Sequence, residues 1–566
     1  MTLGDPTFFG PAERPLFGFF HPARAPRRDL AIVVVPPLGY EEHCAHRGLR
    51  HLAETLGDAG LATLRYDHDG TGDSAGDDRD PDRVEAWVSG AVAAIDEALR
   101  RSGCERVVVV GLRLGAAIAL RAAERRDVAG VVAWAPLSGR AYAREVRAFR
   151  LMNEGDVRVR GDDEDDESAG FVLTASTRAQ LSALDPTRLE RAPPRVLVVA
   201  RDDVRTDDAL TNAVRARGAS VEVAQVAGYA AMMRDPHLTE VPTAVIAAIC
   251  TWLEGLSGPA SGDVPAIPLV LEAEAFGVRE RLVRFGDRER LFGVVTEPVA
   301  GGRQSSPVVF TNAGAIHRVG PNRMYVRFAR AWAKRGVVSI RYDAPGLGDS
   351  RPRDGLPDNR RPFVDPAREV ADAIAQVGPR AIIMGLCAGA HVAYHAALGV
   401  PGVRSVILMN PQRLHIIEGD PFEAARRDAS RAFAWYRTAG FRRRSWERAL
   451  RGEADLAKVA RVLGRRLLER VRELLPAKPR APGEPDVGAE LEAISARGVP
   501  VTFVFASADP GRDHLWSMVG GRRLAALARR GVYREVLLGD ADHTFTPVAS
   551  QTALESLLTR YVVLPR

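Results

Sequence analysis

The chain is poor in cysteine. Its four cysteines (Cys44, Cys104, Cys250 and Cys387) stand far apart in 566 residues, with no C-x-x-C pair. That pattern excludes a disulfide framework and a zinc finger and fits a reducing cytoplasm. Long apolar runs are missing too: the longest, such as "LAIVVVPPLG", fall well short of the ~20 residues that span a bilayer. The N-terminal "MTLGDPTFFGPAERP" has no basic stretch followed by an apolar one, so no signal peptide is expected. No P-loop, dinucleotide fingerprint or cluster of metal-ligand spacing occurs, so neither a cofactor nor a metal is expected. A large excess of charge is also absent, the net value being +6. The charge is unevenly placed, however. Residues 413–480 carry 18 basic and 9 acidic side chains, while residues 162–167 read "DDEDDE". No nucleic-acid motif or aromatic platform accompanies the basic stretch, which argues against nucleic-acid binding.

What is present is the balance of a folded protein, with 46% hydrophobic and 27% charged residues. The length calls for two or more domains. The most informative feature is repetition. "LRYDHDGTGDS" at 64–74 returns as "IRYDAPGLGDS" at 340–350, "GLRLG" as "GLCAG", and "VVAWAP" as "VILMNP", with offsets of 276, 274 and 275. Two copies of one domain are therefore expected, spanning 1–256 and 267–566. The linker between them falls in "GLSGPASGDVPA", whose Gly, Pro and Ser suit a linker.

Within each copy, short Val/Ile-rich runs alternate with stretches of helical periodicity. The runs are "LAIVVV", "LATLRYD", "RVVVVG", "VVAWAP" and "RVLVVA" in the first copy, and "SPVVFTNAG", "VVSIRYD", "AIIMG", "VILMNP" and "VTFVFA" in the second. Continuous apolar strands between amphipathic helices predict an α/β fold, with a mostly parallel sheet covered on both faces. Active sites in such sheets lie at the carboxyl ends of the strands. Each copy is interrupted after its fourth strand, at about 139–191 and about 413–497. Such insertions are expected to lie over the strand ends as lids.

The stretch "IIMGLCAGAHVAYHAA" has the frame G-x-S-x-G with Cys387 in place of serine, and "VVVVGLRLGAAIALRAA" has the same frame with Arg113. With these elbows, the "RYD…G.GDS" turns and a late acid followed by a histidine, the chain resembles the α/β-hydrolase superfamily, duplicated in tandem. The second half is similar to bacterial Cys-elbow hydrolases found beside surface-polysaccharide and natural-product genes. The first half is similar to relatives with "GLRLGA".

The resemblance implies a nucleophile–acid–histidine order. In the second copy these are Cys387, Asp509 at the end of "VTFVFASAD", and His543 in "GDADHTF". Gly385 and Gly389 let the elbow backbone turn tightly. Cys387 at the start of a helix favours the thiolate. The N–H of Ala388 and a group from the loop Ala313, Gly314, Ala315 are the expected oxyanion donors. His391 and His395 stand four apart, as a metal pair would, but without an evident third ligand; they are read as packing or surface histidines. Asp540 and Asp542 are alternative carboxylates beside His543, read as solvated loop charges.

In the first copy Arg113 stays protonated and cannot attack. Asp203 aligns with Asp509, but Ala230 stands roughly where His543 does. That domain is expected to be catalytically inactive and to serve as a docking surface or lid. Its Arg113 is expected either to bind a carboxylate or phosphate at the old oxyanion end or, by preference, to pair with Asp203.

A Cys–His–Asp site on this fold suits acyl transfer through a thioester, with water, an alcohol, an amine or a thiol as acceptor. Related folds with Cys at the elbow include dienelactone hydrolases and polyhydroxyalkanoate synthases. The resemblance suggests a small-molecule or carrier-tethered acyl substrate and a place in secondary-metabolite or polysaccharide assembly. The basic segment offers a face for an acyl-carrier protein or a CoA phosphate, or is simply a solvated Arg-rich surface. The competing reading is a non-catalytic scaffold in which both sites are dead.

Overall fold

A computed structural model describes residues 4–153, 165–204, 208–299, 305–359, 366–415, 485–507 and 509–563. The Val-rich runs form two sheets. The first has eight strands in the order Asp5–Phe9, Leu16–His21, Thr63–Tyr66, Leu30–Val35, Arg106–Leu112, Gly130–Trp134, Arg195–Val199, Ser220–Ala224. The second has nine, in the order Glu272–Ala275, Val278–Phe285, Leu291–Pro298, Ser339–Asp343, Val308–Thr311, Ala381–Leu386, Val403–Met409, Val501–Ala506, Tyr533–Leu538. The Val-rich strands pair in parallel in both sheets. The sequence reading started each copy at its first Val-rich strand. The structure adds an antiparallel edge ahead of it, in "DPTFF" and "LFGFFH" in one half and in "VRERLVRF" and "LFGVVTEP" in the other. Alternation of polar and apolar residues in "VRERLVRF" marks an element with only one face on the core.

Helices cover both faces of each sheet, so the central strands are buried throughout; Leu30–Val35 and Ala381–Leu386 have no exposed residue. Two core clusters result in each half, one per face. The insertion at 139–191 holds a helix, Gly139–Asn153, a small hairpin, Asp166–Ser168 with Phe171–Leu173, and a second helix, Ala175–Leu181. Most of the expected insertion at 413–497 lies outside the described residues, up to the helix Val487–Ala496. Among the described residues, no helix is long and apolar enough to cross a membrane.

The two halves meet through the element that betrayed the repeat. Phe17 and Phe19 pack on Phe292, with centroids 6.0 and 5.0 Å apart, in a small apolar cluster with Phe8, Leu282 and Val294. Around it the "RYD…GDS" turns cross-pair. Arg341 bonds Asp73 at 3.0 Å, and Arg65 bonds Asp349. These two pairs are equivalent under the repeat, as in an isologous two-fold contact. Arg318 departs from that symmetry. Its guanidinium is buried among Asp73, Asp343 and Asp349 at 2.7–2.8 Å and lies over the Phe292 ring. Glu42 occupies its equivalent place in the first half. Arg323 donates to the carbonyl oxygens of Gly70, Gly72 and Gly76 at 2.7–2.8 Å, and also to that of Ser74. Burial and the neighbouring Arg330 pull its pKa down to about 10. The repeated turn is thus an interface within the chain rather than part of the reacting site.

Candidate active site

All parallel strands of the second sheet point the same way, so their carboxyl ends bring the elbow, the acid and the histidine to one edge. The strand Ala381–Leu386 ends and the helix Ala388–Gly399 begins with one residue between them, Cys387. It takes φ 56° and ψ −112°, a strained conformation for a non-glycine residue. Its N–H donates to the Met409 carbonyl at 2.9 Å, which holds the turn to the neighbouring strand. Both elbow glycines are required. A Cβ on Gly385 would lie 2.2 Å from the Gly389 carbonyl, and one on Gly389 would lie 2.8 Å from the carbonyl oxygens of Thr311 and Asn312.

His543 Nδ1 and Asp509 Oδ2 are 2.5 Å apart, and the Asp509 carboxylate is fully buried. The other oxygen of Asp509 accepts from the Gly511 N–H at 2.8 Å, capping the helix Pro510–Val519. The carboxylate is therefore fixed from two sides. Burial pulls the His543 pKa down, but the adjacent Cys387 charge and the bond to Asp509 outweigh it and hold it at about 10. A protonated His543 beside the elbow would favour the Cys387 thiolate. His543 Nε2 is buried, on a side chain that is 29% exposed as a whole. Asp542 bonds the Thr546 N–H at 2.6 Å and so shapes the loop rather than serving the histidine. Asp540 sits at φ 49° in the same loop.

A pH consequence follows. Cys387 should alkylate readily with iodoacetamide at pH 6, because the pair supplies a thiolate there. His543→Ala should slow that reaction by about tenfold or more, since an isolated thiol has a pKa of about 8.5. Equal rates in the two proteins would remove the coupling.

Ala388 is the first residue of its helix, where N–H groups lack helical partners. Ala313 packs in the same cluster as Cys387. Gly314 follows at φ 63°, and Asn312 ties the loop down by donating to the Ile316 carbonyl at 3.1 Å. Ala315 points elsewhere, into a cavity against the first half. The sequence reading missed two contributors. Asn410 donates to the His543 carbonyl at 2.7 Å and accepts from the Ala506 N–H at 2.7 Å, so it stitches the histidine loop to the acid strand. Its place in the repeated stretch "VILMNP" was the available signal. Tyr325 is buried beside Leu386 and Cys387; burial raises its pKa and the Cys387 charge adds to that. Nothing in its local sequence pointed there. His391 and His395 both turn a ring nitrogen to the Leu414 carbonyl at 2.9 Å, in keeping with packing.

Family models match both halves. Residues 28–217 match the one described as "Serine aminopeptidase, S33", and residues 308–554 match "Alpha/beta hydrolase family". The chain is two α/β-hydrolase-type domains in tandem. No curated protein matches it. Similar solved structures include Est1E from Butyrivibrio proteoclasticus with ferulic acid bound, at 17% identity, 44% of this chain, 98% of that chain and TM-score 0.34. Others are a dienelactone hydrolase from Anabaena variabilis (12% identity, 50% and 97% covered, TM-score 0.29) and a soluble variant of monoglyceride lipase from Saccharomyces cerevisiae (12%, 46% and 97%, TM-score 0.34).

The first hydrolase-type domain keeps the elbow and changes its contents. Arg113 adopts φ 58° and ψ −120°, nearly the Cys387 conformation. Its expected partner was Asp203, and the structure corrects this. The Arg113 guanidinium bonds Glu41 at 2.8 Å and also Glu145, while Asp203 pairs with Arg201 at 2.8 Å. Glu41 reaches Arg113 because it opens the helix after the first parallel strand, on the loop that would hold an oxyanion. Burial pushes the Glu41 pKa up despite Arg113. The short helix Tyr229–Met232, which carries Ala230, is held at its start by Asp202, which accepts from the Gly228 and Ala230 N–H groups at 2.7 and 2.9 Å. The old site is thus filled by the chain's own ion pair.

Proposed function

We propose that the second domain carries out acyl transfer through a Cys387 thioester, acting on a carboxylic ester or thioester. The single observation that carries this reading is the line from buried Asp509 through His543 to the thiol at the elbow. Cys387 attacks the acyl carbonyl. The C–S bond forms, the C–O or C–S bond to the leaving group breaks, and the imidazolium protonates that group. His543 then takes a proton from the acceptor as it attacks the thioester, and the thiolate leaves. The Ala388 N–H and a group near Ala313 face the developing oxyanion. The acceptor is water in a hydrolase, or an alcohol, amine or thiol in an acyltransferase. A carrier-tethered substrate and a lid at 413–497 belong to the same proposal.

The test is intact mass after incubation with acyl-thioester and aryl-ester probes of short and long chain. A gain of one acyl group on wild type and none on Cys387→Ala is the expected result. No adduct and no turnover with any probe would favour a scaffold with two dead sites.

A further inference from the structure

We propose that Glu42 and His43 of the first domain and His317 of the second form a binding site for a Zn2+-class divalent cation that pins the two domains together. The helix Tyr40–Asp58 presents Glu42 and His43 in its first turn. His317 comes from the loop that follows the strand Val308–Thr311, two residues beyond Ala315. Glu42 Oε2 lies 3.1 Å from His43 Nδ1, and Glu42 Oε1 lies 3.8 Å from His317 Nε2. One ligand atom from each of the three residues falls within 4.8 Å of the others. A tetrahedral cation with bonds of about 2.0–2.1 Å sets its ligand atoms about 3.3 Å apart, so the Glu42–His43 separation already fits and the wider ones have to close on binding.

Two further observations point to a ligand. The His43 side chain is 3% exposed, and while its Nδ1 faces Glu42 its Nε2 makes no hydrogen bond. Buried polar atoms are rarely left in that condition, and a metal would satisfy it. The second is a cavity of about 20 Å³ lined by His43, His46 and His317, with Arg47, Arg50, Ala315 and Asn359 among its other walls. It has room for a water in the fourth position.

His46 links the cluster to Asp349. His46 stacks on His317 with ring centroids 4.1 Å apart. Its Nδ1 bonds Glu42 Oε1 at 3.4 Å, and its Nε2 lies 3.5 Å from Asp349. No sequence spacing announces this site, because its ligands stand on opposite sides of the repeat. The same loop carries Ala313, so a cation at His317 would brace the oxyanion end of the second domain.

The full chain, stripped with EDTA and dialysed, is titrated with ZnCl2 by calorimetry and with CoCl2 by visible absorption. One equivalent of each is expected, with affinity reduced at least about tenfold in His43→Gln and in His317→Gln and unchanged in Cys387→Ala. X-ray absorption of the Co2+-loaded wild type, which needs no variant to fold, should report nitrogen and oxygen ligands only. No uptake by wild type, a sulfur ligand, or a site lost in Cys387→Ala but kept in the histidine variants would overturn the proposal.

Discussion

Cys387→Ala is expected to lower kcat/KM on an activated ester by on the order of 10^5-fold, the scale seen when a covalent nucleophile is removed. The fold should survive. Cys387 is a half-buried side chain, and alanine keeps the Cβ that the strained elbow already accommodates. The companion variant gives the contrast. Arg113→Ala removes the same position of the other domain and should leave turnover within about twofold, because its partners Glu41 and Glu145 lie in the first domain. Steady-state rates on folded protein decide both. Loss of activity in Arg113→Ala would assign the first domain a part in the chemistry. Retention of activity in Cys387→Ala would remove the covalent mechanism.

The second large effect concerns the contact between the domains. Asp73 is fully buried and faces two guanidiniums of the other half, Arg318 at 2.8 Å and Arg341 at 3.0 Å. Asp73→Asn removes the charge and keeps the shape. Arg318 retains Asp343 and Asp349, and Arg341 retains Glu280, so the loss is less than that of an isolated pair. Breaking a buried pair costs about 3–5 kcal/mol, and the lower end applies here. In domains of this size that is a fall in thermal midpoint on the order of 5–10 °C. Calorimetry measures it. A midpoint unchanged to within about 1 °C would mean that the network sets orientation without adding stability. Arg351→Ala, an exposed change near the same turn, serves as the neutral reference.

Much of the fold was legible because its causes are local. Buried parallel strands must be apolar along their whole length, and helices packed on them must carry an apolar stripe, so the alternation could be read residue by residue. The antiparallel edge strands escaped because they lack the continuous Val/Ile runs of the parallel ones, being Phe-rich in "LFGFFH" and interrupted by charge in "VRERLVRF". The elbow was legible for a steric reason: only glycine fits at Gly385 and Gly389, and that constraint leaves a spaced motif. Cys387, Asp509 and His543 could be named because each closes or follows a recognisable strand. The structure brings Asp509 and His543 into contact and Cys387 close enough to shift the histidine.

Other features had no local cause to read. Arg113 could be seen to be unable to attack, but which carboxylate it meets depends on how the helices Tyr40–Asp58 and Gly139–Asn153 cross the elbow. Tyr325 reaches Cys387 only through the packing of its helix against the sheet. The turns that revealed the repeat gave no hint that they face one another, since that depends on docking two complete domains. The Glu42, His43 and His317 cluster arises at that same contact. The sequence by itself determined two hydrolase-type domains and named one candidate set of nucleophile, acid and histidine, because strand periodicity, tight-turn glycines and side-chain chemistry are properties of short segments. Only the tertiary structure decided what fills the first site and what joins the halves, because buried charges choose partners by proximity in space, across some 276 residues of chain.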